Sequence, residues 1–276
     1  METSSKVSRL EGRFSEDRLA YRRWDPADPH AVVVIAHGYA EHSGRYDHVA
    51  VPLADAGLSV WALDHAGHGL SKGDERGNVG SVEQAVADMD EFVSLASAST
   101  PGLPVFLVGH SMGAMLAVAY AESHQDRLAG VVVTGAAVVL GDMIAELLAL
   151  DEIPVVPLGE FVSRDPAVAQ DYDADPLNYH GAMPRDVLRQ APERIEAVRS
   201  RFPTITVPIL AMHGEQDALA PMQASLDIVA GVSSGDRMLR IWPGLYHEIF
   251  NEPERDQVIA EVVRWITERL PARAAG

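Results

Sequence analysis

Residues 104–122, PVFLV GHSMG AMLAVAYAE, decide the architecture. The first five are apolar and suit a strand, and the last nine are mostly good helix formers. Between them lies Gly109-His110-Ser111-Met112-Gly113. A G-x-S-x-G in that setting predicts a sharp strand-to-helix turn. Small residues let the backbone fold back, the serine hydroxyl stands at the carboxyl edge of a sheet, and the first helical N–H groups face any charge that develops beside it. Without the flanking strand and helix the same five residues would read as an ordinary glycine-rich turn.

Outward from this elbow, short apolar runs recur at 31–35, 58–63, 105–108, 130–133, 209–212 and 238–241. Stretches with helical spacing lie between them, such as Val82, Ala85, Val86, Met89 and Phe92, and later Val258, Ile259, Val262, Val263 and Ile266. Strand–helix alternation predicts an α/β protein with a mostly parallel central sheet flanked by helices. Residues 13–24 read as a hairpin that adds an antiparallel edge. The alternation stops after Ala136 and resumes at Pro208, which divides the chain into core segments 1–136 and 208–276 and an inserted cap or lid, 137–207. The insertion opens on an amphipathic stretch, Asp142 to Leu150, and continues through turns marked by Pro154, Pro157, Pro166, Pro176 and Pro184.

Composition narrows the chemistry. The chain has 276 residues, 47% hydrophobic and 22% charged, the usage of a folded domain rather than a disordered or fibrous one. Its formal net charge of −18 opposes nucleic-acid binding, and Arg185, Arg189, Arg194, Arg199 and Arg201 alternate with acids as a solvated helix face would. With no cysteine, a thiolate nucleophile and cysteine-ligated metal centres are excluded. The first residues lack the apolar core of a secretory signal, and the most apolar stretch, Leu128 to Leu140, is shorter than the roughly 18 residues a membrane-spanning helix needs. A cytoplasmic protein is expected.

A serine hydroxyl needs a base to become a nucleophile, and the base needs a carboxylate to orient it. Asp217 follows the strand PILAM in the turn HGEQD, and His247 follows MLRIW in the loop PGLYHE. The order Ser, acid, His, each after a strand's carboxyl end, suits a Ser111–His247–Asp217 triad, with Glu215 the nearest competitor for the acid role. His37-Gly38-Tyr39-Ala40 follows the first strong strand, so the backbone N–H groups of Tyr39 and Met112 are the candidate oxyanion donors. Asp64-His65-Ala66-Gly67-His68-Gly69 is a glycine-rich loop rather than a helix bearing paired ligands, and neither a metal nor a nucleotide loop is expected there. No cofactor is expected.

Five segments together resemble a known family: HGYAEHSGRYDHVA at 37–50, DHAGHGLSKG at 64–73, GHSMGA at 109–114, SRDP at 163–166 and YDADPL at 172–177. They resemble the monoacylglycerol lipases of bacterial type within the serine α/β-hydrolase superfamily, over residues 13–265. The resemblance implies an α/β-hydrolase fold, cleavage of monoacylglycerols to glycerol and fatty acid, and the same triad residues. It also implies glycerol-end contacts at Glu41, Arg45, His110 and Tyr172. One departure is Tyr39, where mammalian members have a small residue, so its bulk bears on pocket width. The inserted segment would then line an acyl channel with residues such as Met143, Ile144, Leu147 and Val156 and make transient contact with lipid surfaces, weakly with anionic ones given Asp142, Glu146, Asp151 and Glu152. A lysophospholipase or other lipid esterase with the same triad, and a noncatalytic lipid carrier, remain open on these residues.

Overall fold

A computed structural model describes residues 7–271 of the chain. Its sheet has eight strands: β1 Ser8–Phe14, β2 Leu19–Asp25, β3 Ala31–Ala36, β4 Leu58–Leu63, β5 Val105–His110, β6 Gly130–Thr134, β7 Ile209–Gly214 and β8 Arg237–Trp242. The spatial order is β1-β2-β4-β3-β5-β6-β7-β8, antiparallel only at β1/β2 and β2/β4. The first hairpin therefore forms the antiparallel edge, although it begins at Ser8 rather than Arg13.

Strands β3 to β7 are apolar runs because both of their faces are covered. On β3, Val32, Val34 and Ala36 pack beneath helices α2 (Val82–Ser99) and α3 (Met112–His124), whereas Ala31, Val33 and Ile35 face α1 (Asp47–Asp55) and α9 (Arg255–Thr267). The edge strand β1 is mostly exposed and β8 is half-buried. Helix α3 is buried from Met112 to Ala121 on every side, which fits its central place behind the elbow. Among the described residues no helix is long and apolar enough to cross a membrane.

Between β6 and β7 the chain forms four helices, α4 Asp142–Leu148, α5 Gly159–Val162, α6 Pro166–Ala174 and α7 Arg185–Ser200, before α8 (Gln223–Gly231) resumes the core. The amphipathic stretch that opens the segment is helical as far as Leu148. Helix α7 keeps Arg185 and Arg189 exposed, and Arg201 just past its end is exposed too, which fits the solvated face expected, but Arg199 pairs with Asp227 at 2.6 Å and Arg194 is half-buried. A helix lying on another element must turn some long side chains inward, and their aliphatic stems suit that position.

Candidate active site

The elbow has a local physical cause. Ser111 adopts φ 52° and ψ −115°, a strained conformation for a residue with a side chain. It is held from both sides: Ser111 N–H donates to the Thr134 carbonyl at 2.9 Å, and Ala137 N–H donates to the Ser111 carbonyl at 3.2 Å. A side chain at Gly113 would collide with the carbonyls of Ala36 and His37, and one at Gly109 would collide with the start of α3. Both glycines of the motif are therefore dictated by close backbone approach.

Asp217 and His247 come together. His247 Nδ1 lies 2.7 Å from Asp217 Oδ2, and since a carboxylate only accepts, Nδ1 donates. This tautomer leaves Nε2 as the basic nitrogen. Asp217 Oδ1 accepts the N–H groups of Leu219 and Ala220, each at 2.9 Å. Burial alone would raise the Asp217 pKa, but His247, His213 and their hydrogen bonds outweigh it and hold the carboxyl far below the ordinary range. For His247, burial lowers the pKa, while the Asp217 charge and hydrogen bond more than reverse this, and the net direction is up. Glu215 is exposed and accepts from Gly244 N–H at 3.1 Å. The acid that meets the imidazole is Asp217.

The ring of His247 passes over Gly135, where a Cβ would lie 3.0 Å from Nδ1, and packs on His110 with ring centroids 4.6 Å apart. Ser111 and His247 border one cavity of about 200 Å³, as do Tyr39 and Met112, the candidate oxyanion donors. Gly38 sits against the nucleophile position, since a Cβ there would be 3.1 Å from Ser111 Cβ. Its N–H is taken by Glu41 Oε1 at 2.6 Å, so the next amide, that of Tyr39, is the one to weigh as a donor. His65 N–H donates to His37 Nε2 at 3.0 Å, which assigns the proton to Nδ1, and Nδ1 donates to the Gly38 carbonyl at 2.7 Å. His65 and His68 pack their rings on His37, with centroids 4.6 and 5.5 Å from it. The DHAGHG loop thus supports the turn that bears Tyr39.

At the polar wall, Glu41 also accepts from Tyr46 Oη at 2.8 Å and from Arg45 Nη1 at 2.9 Å. Burial opposes ionisation of Glu41, but Arg45, His110, His37 and the Gly38 N–H outweigh it, and its pKa is lowered. Arg45 differs from its expected place in contact with substrate. It does not border the cavity, because its guanidinium is spent on Glu41 and, in a two-bond fork at 2.6 and 2.7 Å, on Glu248, beneath the Tyr172 ring. Glu41, His110 and Tyr172 do border it, joined by Glu248, which sequence reasoning missed. Glu41, His110 and Glu248 present ligand-type atoms within 4.8 Å of one another, and Arg45 supplies the positive charge there that a metal would otherwise provide. Burial, with His247, lowers the His110 pKa to about 4, so His110 is neutral near pH 7.

The remaining wall is mostly apolar, Arg194 apart, and comes from both parts of the chain: Met112, Met115 and Leu116 from α3, and Met143, Ile144, Leu147, Val156 and Leu158 from the inserted segment. The two resemblance segments inside that insertion, with Tyr179 just after the second, tie it to the site. Tyr179 N–H donates to the Ala40 carbonyl and His42 pairs with Asp175, both at 2.8 Å, while Ser163 Oγ donates to the Asn251 carbonyl at 3.0 Å beside the loop that carries His247.

Comparison with known proteins shows the family. The profile of the family described as Hydrolase_4, serine aminopeptidase S33, matches residues 27–254. The monoacylglycerol lipase of Mycolicibacterium smegmatis is 40% identical over 92% of this chain and 94% of its own, and the human monoglyceride lipase is 32% identical over 91% of this chain and 87% of its own. The crystal structure of Paleococcus ferrophilus monoacylglycerol lipase superposes with a TM-score of 0.76 at 26% identity, covering 95% of this chain and 99% of that one. The elbow, the sheet order and relatives of this extent show that the chain belongs to the monoacylglycerol lipase family of serine α/β-hydrolases.

Proposed function

We propose that this chain is a serine carboxylester hydrolase that cleaves monoacylglycerols to glycerol and a free fatty acid. The observation that carries the reading is a carboxylate-oriented imidazole and an elbow serine bordering one cavity whose wall is mostly apolar, with a small polar end. In the first half-reaction Ser111 Oγ attacks the ester carbonyl carbon and its proton passes to His247 Nε2. Asp217 stays ionised and stabilises the imidazolium. The oxyanion accepts from the N–H groups of Tyr39 and Met112. The ester C–O bond then breaks, and His247 returns the proton to the departing glycerol oxygen. In the second, water gives a proton to His247 as it attacks the acyl carbon. The bond to Ser111 breaks, its oxygen regains that proton, and the fatty acid leaves.

In the same reading residues 137–207 act as a cap. Their apolar residues hold the acyl chain, each buried methylene contributing about 0.8 kcal/mol, and Glu41, His110 and Tyr172 meet the glycerol hydroxyls while Arg45 positions Glu41 from behind. Leu150 and Val155, 44% and 59% exposed, are the residues to touch a lipid surface, and their acidic neighbours favour a neutral one. A cytoplasmic protein in peripheral contact with lipid belongs to this proposal.

The test compares wild type with Ser111→Ala on monoolein, triolein and oleoyl lysophosphatidylcholine in matched detergent, following released oleate. Preference for monoolein that vanishes in the variant supports the reading. Preference for the lysophospholipid moves the substrate class, and release that persists in Ser111→Ala removes the nucleophile.

A further inference from the structure

The polar end of the cavity holds two carboxylates where one guanidinium answers them. Glu248 is 5% exposed at its side chain; Oε1 and Oε2 accept from the Arg45 fork, and Oε2 accepts also from Asn251 Nδ2 at 2.7 Å. Glu41, 4% exposed at its side chain, shares the same Arg45. Both acids border the cavity and Arg45 does not, so an entering headgroup meets carboxylate oxygens backed by a net single negative charge. His110 is neutral near pH 7 and adds nothing to offset it. Arg194 also borders the cavity and stays positive, but it lies on α7, where the charge that acts on it is that of Glu83 rather than Glu41 or Glu248, away from the polar end. On the same wall Tyr172, 3% exposed, has a hydroxyl with no hydrogen-bond partner among the described residues, a buried polar atom that a ligand hydroxyl would satisfy.

We infer that Glu248 is a specificity-determining residue: with Glu41 it makes the polar end a charge filter that admits neutral polyol or ammonium headgroups and refuses phosphate-bearing ones. Hydroxyl and ammonium groups donate to carboxylates, whereas a phosphate brings a like charge against two nearly fully buried carboxylates, where repulsion is far stronger than at the surface. The filter is local. The surface charges behind the overall −18 act through solvent and are screened beyond about 8 Å at physiological salt, whereas a buried pair is screened much less. This inference rests on the reading of the chain as a monoacylglycerol hydrolase.

The test uses water-soluble hexanoyl esters of glycerol, choline and glycerol 3-phosphate, which remove partition into lipid as a variable. For each, kcat/KM is measured at about 0.05 and about 0.5 M sodium chloride, where the Debye length differs roughly threefold. Wild type is expected to favour the glycerol ester over the phosphate ester by about a hundredfold at both salts, and to cleave the choline ester within about tenfold of the glycerol ester. Glu248→Gln is expected to narrow the glycerol-to-phosphate ratio by about tenfold, and Glu248→Asp, which keeps the charge, to restore most of it. Comparable rates on glycerol and phosphate esters in wild type, a ratio that collapses in high salt, or a ratio unmoved by Glu248→Gln would each overturn the filter. If Glu248→Gln does not fold, Glu248→Ser set against Glu248→Asp decides instead: both shorten the side chain, and only the loss of charge should narrow the ratio. Failure of wild type to cleave the glycerol ester at all sinks the proposed function itself, a result separate from cleavage without discrimination.

Discussion

His213 Nε2 lies 3.1 Å from Asp217 Oδ2, the same oxygen that receives His247 Nδ1. His213 is fully buried at the end of β7, with Nδ1 2.8 Å from Ser225 Oγ and Nε2 also 2.9 Å from the Ala220 carbonyl. It is a positioning residue that braces both the carboxylate and the turn Leu219–Ala220, whose amides hold the other oxygen. His213→Ala should cost about 1–3 kcal/mol, because it leaves buried partners unpaired. Turnover on monoolein should fall about tenfold, the scale of losing an outer support to a catalytic group. Thermal unfolding and kcat measured together decide: lost stability with unchanged kcat would leave His213 a purely structural residue.

The raised pKa of His247 sets the pH profile. Neutral imidazole is the base, so kcat/KM should climb with pH on a limb centred above 6.5, the ordinary value. In Asp217→Asn the largest raising charge is gone and only the smaller effects of Glu248 and Glu41 oppose burial, so the limb should move to lower pH while turnover falls on the order of 10⁴-fold, as when the equivalent group of a serine protease triad is neutralised. The stability terms run in opposite directions. The His247 contribution is full below its unfolded pKa of about 6.5 and fades as pH rises through the higher folded value, whereas the Asp217 contribution holds above about 3.9 and is lost in acid. A wild-type limb below pH 6.5 would contradict the charge balance described for the pair.

Much of this site was legible in the chain because its signals are local. The elbow is one continuous strand–turn–helix, and β3 to β7 read as apolar runs because both faces of each are covered. Edges are harder. The start of β1 was hidden because Arg9, Leu10 and Glu11 are exposed and mix charge with apolar surface. The polar wall was only half readable: Glu41 and Arg45 are spaced like an ordinary surface pair on one helical turn, and their burial depends on Glu248, 203 residues away from Arg45. His213 likewise gains its role only when the chain returns through Ala220. Arg194 looked like one more solvated arginine until α7 lay against the cavity.

The strain at Ser111 can be separated from its chemistry by two variants that both lack the hydroxyl. Ser111→Ala keeps a Cβ at φ 52°, and Ser111→Gly removes it. Relief of a strained backbone contributes about 1–3 kcal/mol, and the extra freedom of glycine in the unfolded chain takes back about 0.5–1 kcal/mol. Ser111→Gly should therefore melt a few degrees above Ser111→Ala, about 2 °C per kcal/mol at this size, with both losing turnover on the order of 10⁶-fold. An alanine variant at least as stable as the glycine variant would mean that the surrounding hydrogen bonds leave no strain to relieve.

Chain-length selection should reside in the inserted segment, and Ala191 offers a direct probe. It lies on α7 among the residues that border the cavity and is partly exposed, so a larger side chain there can enter the cavity without a core cavity or a lost polar partner elsewhere. Ala191→Trp fills space that an acyl chain would occupy, and each methylene displaced forfeits about 0.8 kcal/mol of binding. Loss of two or three methylene contacts corresponds to roughly tenfold to a few tens-fold in kcat/KM, given about 1.4 kcal/mol per factor of ten. The variant should thus lose at least about tenfold on monoolein while acting on monobutyrin within about threefold of wild type, because a chain of that length ends near Ser111 and never reaches α7. Equal losses on both esters would point to damage at the triad, and no loss on either would place the acyl path elsewhere, toward Leu147 and Val156 on the other cap elements that line the cavity.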